Sequence, residues 1–119
     1  MKKYNQLLGS EGESIATDYL QKLGYTILER NWRYQRAEVD IIATKNDVLY
    51  IVEVKTRTNT TFGMPEESVS KTKFNLLQLA AEAYMYLNTR YILLQFCIIA
   101  IILPKGQPPE IMMFEDVYF

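Results

Sequence analysis

Residues Ala37–Arg57 read AEVDIIATKNDVLYIVEVKTR. Two apolar, β-branched runs, Glu38–Thr44 and Val48–Arg57, flank the polar Lys45-Asn46-Asp47, which predicts a β-hairpin. Strand side chains alternate faces, so Glu38 and Asp40 are expected to share a face, as are Glu53 and Lys55. The turn decides whether the two pairs meet. A two-residue loop pairs Thr44 with Asp47 and sets Glu38 opposite Glu53. A four-residue loop pairs Thr44 with Leu49 and sets Asp40 opposite Glu53. Either register leaves Asp40, Glu53 and Lys55 on one face. A three-residue loop breaks this unless a bulge restores it.

The flanking sequence extends the pattern. Gly9–Leu23 carries Ile15, Ala16, Tyr19, Leu20 and Leu23 on one helical face. Ser10 and Glu13 have the residues of a capping box, and Gly24 suits a left-handed stop. Tyr25–Tyr34 reads as a first strand. Thr58–Glu67, with Gly63 and Pro65, reads as a loop. Ser68–Asn88 has a broad apolar stripe through Val69, Leu76, Leu77, Ala80, Ala81, Tyr84 and Leu87, and reads as a second helix. Tyr91–Leu103 lacks polar alternation, as a strand buried on both faces would. Glu110–Phe119 is a candidate edge strand. The predicted order is α-β-β-β-α-β-β, one α/β domain over residues 1–119.

Composition narrows the chemistry. The 119 residues contain no histidine and one cysteine, Cys97. Histidine-based acid–base pairs, Ser-His-Asp triads and His- or Cys-cluster zinc sites are excluded. With 13 Lys and Arg against 14 Asp and Glu, the net charge is −1. A general polycationic grip on nucleic acid is not predicted. The longest apolar run falls short of the about 20 residues that span a bilayer. With no export signal and one thiol, the expected location is the cytoplasm.

Acids within greasy strands are costly unless compensated. Lys55 and a divalent cation are the two candidate compensators. Only oxygen ligands are on offer, which favours Mg2+ or Mn2+. Such an ion can polarise a phosphoryl group and orient a water, with Lys55 stabilising the developing charge. The same residues also fit a structural ion-pair network.

An acid, an apolar hairpin and then Glu-x-Lys resembles the PD-(D/E)xK nuclease pattern, here Asp40 and Glu53-Val54-Lys55. More closely, the chain resembles the YraN-like family of bacterial proteins, which are similar to Holliday-junction resolvases. The matching stretches are Gly9–Glu13, Gly24–Trp32, Ala37–Ala43, Ile51–Arg57, Phe62-Gly63 and Val69–Lys73, leading to Ala80-Ala81. The resemblance implies a restriction-endonuclease-like fold with a central mixed sheet flanked by helices. It implies metal binding by Asp40, Glu53 and the backbone carbonyl of Val54. It implies a catalytic Lys55, an additional acid from Glu13 on the first helix, and Glu38 as part of a Gly-Glu-Ile-Asp motif. The chain departs from the family at Ala37, where that motif has Gly. It departs again at Cys97, where an acidic position is lost, and Cys97 is expected in the core.

The expected activity is Mg2+- or Mn2+-dependent cleavage of DNA phosphodiesters, on duplex or branched DNA. The resemblance makes Arg30, Arg57 and Lys73 candidate phosphate contacts, where charge alone would read them as ordinary surface residues. The alternatives are a non-catalytic nucleic-acid-binding module of the same fold and a partner-binding scaffold. A two-fold substrate would be met by a homodimer. Trp32, Tyr34, Tyr50, Tyr84 and Tyr86 are expected to be packing aromatics rather than base-stacking platforms. Gly9–Gly12 is not a phosphate loop, because it lacks the following Lys-Ser/Thr and a preceding strand.

Overall fold

Asn46 and Asp47 set the register of the sheet. Both adopt positive φ, 52° and 64°, as a two-residue mirror-image turn requires, and Asn and Asp tolerate that region best after Gly. The turn joins β2 (Ala37–Lys45) to β3 (Val48–Arg57), with Lys45 opposite Val48, Thr44 opposite Leu49 and Ile41 opposite Val52. This is the Thr44–Leu49 register. The loop is shorter than the four residues that register suggests, because Lys45 and Val48 also pair.

The computed structural model describes residues 2–61 and 63–115. Helix α1 (Lys2–Lys22) precedes β1 (Thr26–Tyr34), β2 and β3. A 3-10 turn at Pro65–Ser68 leads into α2 (Lys71–Leu87), followed by β4 (Leu93–Ile102) and β5 (Glu110–Phe114). The element order is the predicted one, and the mixed five-stranded sheet is flanked by two helices. Its strands run β1-β2-β3-β4-β5, all neighbours antiparallel except β3 and β4. The parallel pair needs a crossover, which α2 supplies.

Each helix buries its stripe on one sheet face. Ala16 and Leu20 of α1 pack with Ile41, Ala43, Val52, Val54, Cys97, Ile99 and Ile101. Leu77, Ala80, Ala81 and Tyr84 of α2 pack with Ala37, Val39, Ile42, Leu49 and Ile51. Residues Cys97–Ile101 of β4 are all buried, as a strand covered on both faces should be. Cys97 lies in this core.

Three boundaries differ from the sequence reading by more than two residues. Helix α1 begins at Lys2, so Ser10 and Glu13 lie inside it and form no capping box. The Lys, Gln and Leu residues before Gly9 are good helix formers, and one interior Gly costs only about 1 kcal/mol. Helix α2 is capped by Ser70, which accepts the Lys73 N–H at 3.1 Å, whereas Ser68 ends the 3-10 turn. The last strand stops at Phe114, and residues 116–119 lie outside the described residues. The other helix end behaves as read. Gly24 takes φ 93°, Tyr25 N–H donates to Leu20 O at 3.0 Å, and Lys45 Nζ caps Leu23 O at 2.8 Å.

The aromatics mostly pack as expected. Trp32 meets Tyr84 edge-on and lies parallel to Tyr34, and Tyr25 meets Tyr50 edge-on. Tyr86 is the exception, at 83% exposed on the outer face of α2.

Gly12 is buried where α1 crosses β3, and a Cβ there would overlap Thr56 Oγ1. This contact sets how close the start of the α1 stripe comes to the end of β3. Gly12→Ala should therefore destabilise the fold by about 1–3 kcal/mol despite its better helix propensity. A urea midpoint at or above that of the parent protein would show that the crossing has room to spare.

Candidate functional site

Asp40 stands where the regularity of β2 breaks. Val39 packs on the α2 side of the sheet and Ile41 on the α1 side. Strict alternation would put both on one face, so the pleat slips at Asp40. Across the ladder, the pairs Arg30–Ile41 and Trp32–Val39 flank Asn31, which has φ 53°. The β2–β3 pairing runs as far as Ile41–Val52. One step on, the Val54 N–H donates to Asp40 Oδ2 at 2.8 Å. A charge-assisted bond from carboxylate to backbone thus ties Asp40 to β3.

Glu53 alternates with Ile51 and so faces α2. It is 2% exposed and is the buried charged residue of this core. Its Oε2 accepts no hydrogen bond of good geometry. The nearest cation is Lys73 Nζ at 3.3 Å, from the first turn of α2. Burial first, and then the Asp40 carboxyl, push the Glu53 pKa up to about 8; Lys73 and Lys55 pull it down. Two adjoining carboxyls cannot both ionise cheaply, so they share a proton or a cation.

Glu13 approaches Asp40 from α1. Its pKa is raised, by burial and then by Asp40, while Asn31 and Arg30 act the other way. Asp40 is thus electrostatically joined to acids from both layers of the fold.

The remaining predicted residues divide. Lys55 is half-buried on β3 and its charge acts on Glu53. Val54 is held in the site through its amide, and its side chain belongs to the α1-side core. Glu38 turns its carboxylate to Arg33 at 2.9 Å, and its charge reaches Glu13. Arg30 is exposed beside Glu13, and Arg57 is exposed at the end of β3. Lys73 is brought in not as a surface cation but as the partner of Glu53. That pairing and the Asn31–Glu13 contact are absent from the sequence reading. Asn31 signals itself only as an Asn within a strand-like run, and Lys73 gives no local signal of its pairing with Glu53.

The donor set fits a hard divalent cation. It has two adjoining carboxylates, one with a buried and unsatisfied oxygen, and neither sulfur nor imidazole. Among the described residues no group of three or more acidic or Cys ligands is arranged to hold a metal. Two carboxylates suffice for Mg2+, which usually keeps several waters.

A family model described as "Uncharacterised protein family UPF0102" matches residues 12–101. The chain belongs to the UPF0102 family. This is the YraN family that the sequence resembles. The UPF0102 match spans Glu13 to Lys73, and so every candidate site residue. A UPF0102 protein of Flavobacterium psychrophilum is 42% identical over 119 residues, covering 100% of this chain and 98% of the relative. One from Bacteroides thetaiotaomicron is 45% identical over 106 residues, 89% of this chain and 87% of the relative. One from Dictyoglomus turgidum is 45% identical over 105 residues, 87% and 89% of the two chains.

Glu53 binds its proton more tightly in the folded chain than in the unfolded one. Its contribution to stability is full below pH 4.5 and is lost as pH rises to about 8. Glu53→Gln carries no such proton. In metal-free buffer its stability relative to the parent protein should therefore climb across that window, read by urea unfolding. A constant difference between the two would contradict the raised proton affinity of Glu53.

Proposed function

We propose that this UPF0102 protein is a Mg2+- or Mn2+-dependent endonuclease that hydrolyses DNA phosphodiester bonds in duplex or branched DNA. One observation carries the reading: a buried Glu53 carboxylate with an unsatisfied oxygen, beside Asp40 on the neighbouring strand and within the field of Lys55. The resemblance of Asp40 and Glu53-Val54-Lys55 to the PD-(D/E)xK pattern supports it. So does the mixed sheet with a helical crossover that presents these residues.

Asp40 and Glu53 would hold the cation, with the Val54 carbonyl as a further oxygen donor. When bound, it would polarise the scissile phosphate and acidify a water. Asp40 is already oriented by the Val54 N–H, so little reorganisation is needed to present its carboxylate. The Lys55 ammonium would orient the attacking water and stabilise charge growing on the phosphoryl oxygens. Glu13, with its raised proton affinity, would take up a proton from that water or fix its position. Glu38, held by Arg33, would shape the strand that carries Asp40. Arg30 and Arg57 would meet phosphates on either side of the cut. A symmetric junction would engage two copies of the chain, one site per strand.

No helix among the described residues is long and apolar enough to cross a membrane. A cytoplasmic location fits both this and the single buried thiol.

The test joins calorimetric Mn2+ titration with cleavage assays on duplex and four-way-junction DNA. The parent protein should bind Mn2+ and nick at least one substrate. Asp40→Asn should lose metal affinity and cleavage together. Lys55→Met should keep the metal but cut about 100-fold more slowly or worse. DNA binding without cleavage in either cation would favour the non-catalytic module. Identical metal affinity in the parent and Asp40→Asn would remove the site altogether.

A further inference from the structure

We propose that Lys73 is a tethered counter-cation for the Asp40–Glu53 pair, displaced by the incoming divalent ion and thereby released to meet a substrate phosphate. The inference rests on the metal reading above and goes beyond it by giving Lys73 two alternating positions.

The contact between Lys73 and Glu53 is electrostatic more than directional. Nζ lies 3.3 Å from Glu53 Oε2, longer than the roughly 2.7–2.9 Å of a good ammonium–carboxylate bond. That oxygen counts no hydrogen bond from it. The other polar contact of Nζ is the Glu38 carbonyl oxygen at 3.5 Å, the outer limit of a hydrogen bond. An ammonium has three donors, and neither of these long contacts is a strong one. It is held by charge, and a stronger charge can evict it.

The route out is open. The Lys73 side chain is 32% exposed, whereas that of Glu53 is 3% exposed. The backbone of Lys73 is fixed, because its N–H is bound by the Ser70 cap at 3.1 Å. Only the flexible stem has to swing. A lysine in the first turn of a helix also sits against the macrodipole, so the buried carboxylate is what draws it inward. A divalent ion on Glu53 removes that attraction and adds repulsion. The freed ammonium would then remain near the start of α2, where an anionic oxygen is favoured. The sequence expectation of a phosphate contact and the observed ion pair are in this way two states of one side chain.

The arrangement predicts competition. Lys73→Met keeps the stem and removes the charge. Measured by calorimetry with Mg2+ in alkaline buffer, above the Glu53 titration, it should bind the ion severalfold more tightly than the parent protein. Lys73→Arg should stay near the parent affinity. In the unmutated protein, the Lys73 ε-methylene resonance should move toward the position of a free lysine as Mg2+ is added, with a midpoint matching the calorimetric one. Equal or weaker Mg2+ affinity in Lys73→Met, or a Lys73 resonance unmoved at saturation, overturns displacement while leaving an Asp40-dependent metal site intact. Absence of Mg2+ binding by the parent protein overturns both.

Discussion

A carboxylate taken out of water must find a positive charge, a proton or a metal. Glu53 imposes that demand on the whole arrangement. It sits on a central strand, covered by α2, with Asp40 alongside. Lys73 and Lys55 approach it and neither satisfies it fully. The fold tolerates the cost because the two apolar clusters on either side of the sheet hold β2, β3 and β4 in place whatever the ionisation of the pair. On the proposed reading such a site is primed for a cation, and the cost of burying Glu53 would be offset when an ion of higher charge density binds.

The same demand explains the local irregularities. The pleat slip at Asp40, the left-handed Asn31 across from it and the Val54 amide bonded to a side chain all lie within a few residues of Glu53. They turn one carboxylate so that it can serve acids from both faces of the sheet, Glu13 from α1 and Glu53 facing α2. The close crossing at Gly12 lets α1 bring Glu13 within reach. Regular alternation would have left Asp40 with neighbours on one side only.

Much of this could be read from residue order. The hairpin, the crossover helix and the buried fourth strand announce themselves through alternation, helical spacing and a continuous apolar run. Asp40 and Glu53 stand out because charged residues are rare in such strands. What could not be read depends on competition or on distance along the chain. Ser10 and Glu13 look like a helix start, yet the residues before them also favour helix, and the longer helix wins. Lys71 and Lys73 look alike in sequence. Only the packing of α2 on the sheet points one of them at Glu53. The bond from Val54 to Asp40 forms because the strands stop pairing there, which no local pattern encodes.

The decisive property of the site is whether Asp40 and Glu53 together hold a hard divalent ion. Anomalous diffraction from crystals soaked in Mn2+ measures this most directly. We expect one strong peak bridging the two carboxylates, with metal–oxygen distances of about 2.0–2.2 Å, near the values typical of small hard cations. A difference map without a peak there, with Lys73 still resting on Glu53 at saturating Mn2+, would contradict it.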